Sequence, residues 1–137
     1  MKKLSRFGVS VESDLLERFD LQIGRRGYPT RSKAISDLMR SFLVETQWAD
    51  GVEVAAAIIL VYDHHKHHLS SQLTHVQHDH HDIIVSSQHI HLDHDNCLEI
   101  VVVRGKADEV ERLAQKLKSI KGVKYSSLAS ASTGRGI

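Results

Sequence analysis

Three residue types that often stabilise small proteins are scarce in this sequence. Its 137 residues include one cysteine, one proline and 5% aromatic residues. One cysteine excludes an internal disulfide, and a free thiol favours a reducing compartment. So few aromatic residues favour small modules with aliphatic cores that bury surface against a partner chain, rather than one large monomeric core.

Long hydrophobic runs are missing too. The longest, residues 54–61, is far shorter than the roughly 20 residues of a membrane span. The opening residues, MKKLSRFGVSVESD, lack the continuous apolar segment of a signal peptide. The sequence therefore predicts a cytoplasmic protein without a membrane partner.

Charge is unevenly distributed along the chain. Residues 1–48 carry nine Lys/Arg and six Asp/Glu, a net +3, whereas residues 49–137 carry nine and eleven, a net −2. This difference indicates two modules with different partners. We expect one module at residues 1–48 and another at residues 52–133, with the boundary at residues 48–51.

The first module begins with the pattern of a strand. Over residues 4–11 apolar side chains alternate with Arg6, Gly8 and Ser10, so the two sets face opposite ways. One strand has no stability alone. We therefore expect it to pair with the same strand of a second chain, giving a two-stranded ribbon with one exposed face.

Two helices are predicted to follow this strand. Ser13 is the expected N-cap of the first helix, which Gly27 ends. Pro29 then breaks the chain, and Thr30 is the expected cap of the second helix.

The second module has a different order of elements. Its pattern predicts strand 52–62, helix 65–80, strand 82–92, a turn at 93–96, strand 97–104, helix 107–120 and strand 123–131. This βαββαβ order is ferredoxin-like, so the chain belongs to the α+β class. The Ser/Gly-rich residues 130–136 are expected to fray.

Histidine is abundant in one stretch of the second module. All eleven histidines lie between residues 64 and 94, and seven of them share residues 75–97 with Cys97. Neutral imidazoles and a thiolate are ligands of nickel, copper and zinc. This composition predicts a metal site.

Three ligands of that site follow from the predicted hairpin. His89 and His91 are two residues apart on a strand and leave the same face, and the turn at 93–96 returns Cys97 beside them. A fourth ligand should come from the preceding helix. The spacing leaves open which histidine supplies it, among His75, His78, His80 and His81, and which metal is bound.

Six of the histidines, taken one at a time, are better explained as solvated side chains. They are His64, His65, His67, His68, His80 and His94. Some of them could orient ligands or take excess metal.

Two alternative functions fit a histidine-rich site. A metallohydrolase would leave a position open for water and could use Glu99 as its base, although a closed site with a thiolate argues against an enzyme. A metal storage or delivery protein would bind several ions through the histidine cluster and would give the basic first module no role.

Three segments resemble the NikR family of nickel-responsive transcriptional repressors. They are SRFGVSVESDLLERFD, RRGYPTRSKAISDLMRSFL and QHDHHD followed by HIHLDHDNCLE, and together they cover nearly the whole chain. The resemblance implies a ribbon-helix-helix DNA-binding domain, formed by an intertwined dimer, joined to an ACT-like metal-binding domain in a homotetramer, a dimer of dimers. It also implies repression of nickel-uptake genes through a palindromic operator.

The resemblance assigns residues to both sites. It implies one Ni(II) per subunit, held by His89, His91 and Cys97 of one chain and His78 of a neighbour. The residues that would contact DNA are Arg6, Gly8 and Ser10 on the ribbon, with Thr30 and Lys33 at a helix N-terminus that holds a phosphate.

Members of this family can hold a second cation through two acidic residues of the second helix. Asp37 matches one of them, but Lys33 stands where the other acid is expected. We expect this second cation site to be weakened, or the Lys33 ammonium to replace the ion and pair with Asp37 one turn away.

Overall fold

The computed structural model describes residues 2–66 and 68–137. The chain divides into two compact units, one ending at Ser41 and the other spanning Phe42–Ile137. The division falls within helix α2 (Arg31–Ala49), earlier than the expected boundary at residues 48–51. None of the helices in the described part of the chain is both long and apolar enough to cross a membrane.

The last turns of α2 contact the C-terminal segment, which explains the position of the division. Trp48 Nε1 donates to Ala131 O at 2.8 Å, and Gln47 Nε2 donates to Arg135 O at 2.8 Å. The expectation that residues 130–136 fray was therefore wrong, because side chains from a distant helix bind this segment.

The N-terminal segment forms no strand within the chain. Residues 2–12 stand outside any helix or strand, whereas a strand over residues 4–11 was predicted. A strand exists only with a hydrogen-bonded neighbour, and the described chain supplies none there. Pairing with a second chain stays a prediction.

Helix α1 (Ser13–Arg25) starts one residue earlier than its predicted cap implies. Its N-cap is Glu12, whose carbonyl accepts from Leu16 N at 3.1 Å without a side-chain cap, so the assignment of Ser13 as N-cap was wrong. The helix ends at Arg25, and Gly27 follows with φ of 76°, the left-handed conformation that glycine adopts readily.

Thr30 caps α2 as predicted. Its Oγ1 accepts a hydrogen bond from Lys33 N at 3.1 Å. One residue later, Arg31 makes a two-bond ion pair with Asp20 of α1, through Nε at 3.0 Å and Nη2 at 2.6 Å. This pair connects the two helices of the first unit.

The second unit has the predicted βαββαβ order. Its elements are β1 (Glu53–Tyr62), α3 (Leu69–Asp79), β2 (Ile84–His91), β3 (Cys97–Lys106), α4 (Ala107–Ser119) and β4 (Val123–Ser130). The strands form one antiparallel sheet in the order β2-β3-β1-β4. This is an α+β arrangement consistent with an ACT-like domain.

Helix α3 begins at Leu69, four residues later than predicted. Asp63 Oδ1 accepts from His65 N at 2.9 Å, and this local turn competes with a helix over the same residues. His67, which was included in the predicted helix, lies outside the described residues.

One face of the sheet carries the core. Along β1, alternate residues from Val54 to Tyr62 are buried, and the apolar stripe of α4 packs with them. The other face is only half covered; it includes the intermediate residues Ile59 and Ile100 and the exposed Val102. The core therefore leaves an apolar sheet face open.

Candidate metal centre

The hairpin of β2 and β3 positions the predicted ligands. In its register His91 faces Cys97 and His89 faces Glu99. The turn is held by Asp93, whose Oδ1 accepts from Asp95 N at 2.9 Å and from Asn96 N at 2.8 Å. Strand pairing therefore brings one predicted imidazole directly opposite the thiol.

Cys97 is buried and has two imidazoles beside it. Its Sγ lies 3.6 Å from His91 Nδ1 and 3.0 Å from His64 Nδ1. The ring of His89 stacks on that of His91, with centroids 5.1 Å apart. A sulfur and neutral ring nitrogens form a donor set that suits nickel, copper or zinc.

His64 was not predicted to belong to this group. His64 follows β1 by two residues, and Tyr62, the last residue of β1, is the strand partner of Cys97. The register between β1 and β3 is the signal that would have identified it. Spacing within the histidine-rich stretch contains no such information.

His78 lies apart from this group in the described chain. It occupies the last turn of α3, where its ring centroid lies 6.1 Å from that of His81. The group of donor atoms within 4.8 Å of one another around the thiol consists of His64, His91 and Cys97. The assignment of His78 to a neighbouring chain's site stays a prediction.

Glu99 has both carboxylate oxygens occupied. Tyr62 Oη donates to its Oε2 at 3.0 Å, and Gln77 Nε2 donates to its Oε1 at 2.9 Å. Burial and the neighbouring Glu99 charge raise the pKa of the Tyr62 hydroxyl, so it remains a donor. Because these bonds hold Glu99 in a buried network, it is badly placed to act as a base for bound water.

Burial and charge keep the metal-free thiol protonated. Desolvation, and then the negative charges of Asp63, Asp93 and Glu99, raise the pKa of Cys97 above its ordinary value. Desolvation and the neighbouring His65 and His91 lower the pKa of His64. His64 is thus neutral at physiological pH, the form that binds metals.

The predicted DNA-contacting residues of the first segment are exposed. Arg6, Gly8 and Ser10 all lie within the exposed residues 2–12.

At the predicted second cation site, Lys33 Nζ lies 2.5 Å from Asp37 Oδ1, and Arg40 Nη1 lies 3.2 Å from the same oxygen. The hydrogen bond from Lys33 is the largest cause that lowers the pKa of Asp37, and the positive charges of Lys33 and Arg40 lower it further. The predicted pairing of Lys33 with Asp37 is present; a second cation there stays a prediction.

Comparison with known proteins identifies the family of the second unit. The family described as the NikR C-terminal nickel-binding domain matches residues 55–131. The solved structure of uncharacterized protein TM1266 from Thermotoga maritima is similar in fold, with a TM-score of 0.52 and 15% identity over 57% of this chain and 96% of that chain.

Relatives similar over the whole chain carry the name "Putative nickel-responsive regulator". That of Nitratidesulfovibrio vulgaris (strain DP4) is 50% identical over 138 residues, covering 100% of this chain and 99% of the relative. That of Thermococcus onnurineus is 50% identical over 134 residues, covering 97% of each. That of Geobacter sulfurreducens is 50% identical over 135 residues, covering 98% and 97%.

These names are those of regulators, which agrees with the expectation that the chain is not an enzyme. The chain therefore belongs to the family of nickel-responsive regulators that carry a NikR C-terminal nickel-binding domain, and it is a nickel-sensing regulator.

Proposed function

We propose that this regulator is a nickel-dependent repressor that binds a palindromic operator of nickel-uptake genes as a homotetramer in the cytoplasm. The observation that carries the DNA-binding part is the apolar surface that its N-terminal residues leave exposed. Phe7 and Val9 are 64% and 66% exposed, and of the residues in α1 and α2 that the structure describes only Ala34 is buried.

Such a surface is unstable in water without a partner. The exposed apolar residues of α1 and α2 include Leu15, Leu38, Met39, Phe42 and Leu43. A second copy of the chain would cover this surface and would supply a neighbour for a strand over residues 4–11. The resulting ribbon would present Arg6, Gly8 and Ser10 together, in the manner of β-ribbon proteins that enter the major groove.

The start of α2 supports a phosphate contact. Thr30 Oγ1 accepts from Lys33 N, which leaves the amides of Arg31 and Ser32 as the first-turn donors without an intrahelical acceptor. Such donors suit a DNA phosphate, and a contact of this kind would fix the register of the ribbon without reading bases.

The open face of the sheet supports assembly beyond a dimer. Val102 is exposed on this face, and Ile59 and Ile100 are only half buried. Packing against another copy would bury these side chains. A dimer of dimers would give both the N-terminal ribbon and the open sheet face a partner chain.

We propose that each nickel is held by His89, His91 and Cys97 of one subunit and by His78 of a neighbour, with one ion per subunit. His91 and Cys97 already face each other in the hairpin, and the His89 ring stacks on that of His91. A nickel ion held there would link donors of two chains. Because those donors meet in one arrangement of subunits, ligand binding would favour that arrangement over others.

His64 is the alternative fourth donor, because its ring lies beside the thiol within the same chain. Mixing variants separates the two possibilities. We expect Cys97→Ala and His78→Ala proteins each to lose nickel to a competing chelator, since each lacks one ligand. When the two are unfolded together and refolded, about a quarter of the sites should regain all four ligands if chains mix at random.

The matched control is His64→Ala, which should retain nickel. If the mixture recovers no nickel, or if His64→Ala loses nickel while His78→Ala retains it, the shared site is wrong. Nickel retained against the chelator is the quantity measured in every case.

The raised pKa of Cys97 predicts the direction of a pH dependence. A protonated thiol must lose its proton to become a ligand, so nickel competes with that proton. The apparent nickel affinity should rise about tenfold per pH unit between about pH 7.5 and about pH 8.5, the range below the raised pKa of the thiol and well above that of an ordinary imidazole.

Calorimetry in buffers of different ionisation enthalpy checks this prediction through the number of protons released per nickel. One proton per ion is expected from the thiol. An affinity independent of pH, with no proton released, would mean that Cys97 is already ionised in the metal-free protein.

Arg6 is the residue that we expect to contact a base. Arg6→Ala should weaken binding of the nickel-loaded protein to the promoter of a nickel-uptake gene by roughly 5- to 100-fold and affect a scrambled fragment far less. The control Lys3→Ala removes a positive charge one residue before the predicted strand and should affect both fragments equally. Equal losses on both fragments for Arg6→Ala would reduce its role to a phosphate contact.

A further inference from the structure

A second cluster of metal-ligand side chains lies beside the central group, which consists of His64, His91 and Cys97. It consists of His65, from the segment after β1, and His94 and Asp95, from the turn between β2 and β3. One ligand atom from each lies within 4.8 Å of the others. The rings of His65 and His94 have centroids 4.9 Å apart and are tilted by 35°.

Other side chains hold the backbone on which this cluster stands. Asp63 accepts from His65 N at 2.9 Å, and Asp93 accepts from the amides of Asp95 and Asn96. Lys124 Nζ donates to Asn96 Oδ1 at 2.6 Å, which connects the turn to β4. Asp63 and Asp93 therefore stabilise the two turns, and the carboxylate of Asp95 is not needed for that purpose.

Two existing contacts hold the three side chains beside one another. His94 Nδ1 lies 3.0 Å from Asp95 Oδ1, and His65 Nε2 is hydrogen-bonded to the backbone carbonyl oxygen of His94 at 2.7 Å. Donors that surround an ion tetrahedrally at about 2.1 Å are about 3.4 Å from one another. The ligand atoms of this cluster lie within 4.8 Å of one another. The side chains of His94 and Asp95 are 87% and 65% exposed, so they can rotate to bring these atoms to the separation that a bound ion requires.

We propose that His65, His94 and Asp95 of a single chain form a second, weaker site for a borderline divalent cation of the zinc type. Two imidazoles and a carboxylate are a recognised zinc donor set, and three protein ligands leave a position for water. The site has no thiolate and is open to solvent, so its ion exchanges faster than one held by Cys97. It needs no second subunit and does not rest on the proposed repressor function.

The test is a zinc titration of the full-length protein after one equivalent of nickel has been bound, followed by equilibrium dialysis. We expect one further zinc per chain, with the nickel retained. His65→Gln and His94→Gln should each lower the affinity for the added zinc at least about tenfold. Even the loss of a residue that only hydrogen-bonds to a metal ligand lowers metal affinity by that much. The matched control is His68→Gln, an exposed histidine outside the cluster, which should leave the zinc affinity unchanged.

A parallel titration of Cys97→Ala separates this site from the central one. The weaker zinc should still bind to Cys97→Ala and should still depend on His65. The proposal is overturned if no further zinc binds, if His65→Gln and His68→Gln bind it equally, or if Cys97→Ala abolishes it, because the ion would then belong to the central group.

Discussion

The antiparallel register between β2 and β3 is the constraint on which the metal centre depends. It sets His91 opposite Cys97, and a slip of one residue would turn the imidazoles of the strand to the other face. Asp93 holds the turn, while Val101 and Val103 anchor the Cys97 face of β3 in the core. The same packing that stabilises the domain thus places the thiol of β3 beside an imidazole of the edge strand β2.

Both units leave apolar surface that a single chain does not cover. In the first unit this surface includes the alternating residues before α1, and in the second it lies on the sheet face opposite α3 and α4. Copies of the chain that covered both surfaces would stabilise a small protein with few aromatic residues. If His78 of a neighbouring subunit completes the metal site as proposed, metal binding would act directly on that assembly.

The sequence predicted those features that depend on local periodicity. The order of the second unit, the cap at Thr30, the turn at residues 93–96 and the approach of His91 to Cys97 were all visible in spacing. The role of His64 was not, because its approach to the thiol depends on the pairing of Tyr62 with Cys97 across strands distant in sequence.

Two further differences have local causes that the pattern did not reveal. Helix α3 begins late because the side chain of Asp63 binds the backbone of His65. The C-terminal residues are held because Gln47 and Trp48 of α2 reach them. Composition described that segment correctly as rich in serine and glycine, but a contact over more than eighty residues of sequence cannot be inferred from composition.

The most direct test of the central claim is the fluorescence anisotropy of a labelled promoter fragment of a nickel-uptake gene. It should be measured at fixed salt, because phosphate contacts are salt-dependent, with metal-stripped protein and then with one equivalent of nickel per chain. We predict tight binding to this fragment, compared with a scrambled one, only after nickel is added, and loss of that binding in Cys97→Ala. Equal binding with and without nickel, or no binding to either fragment, would contradict nickel-dependent repression.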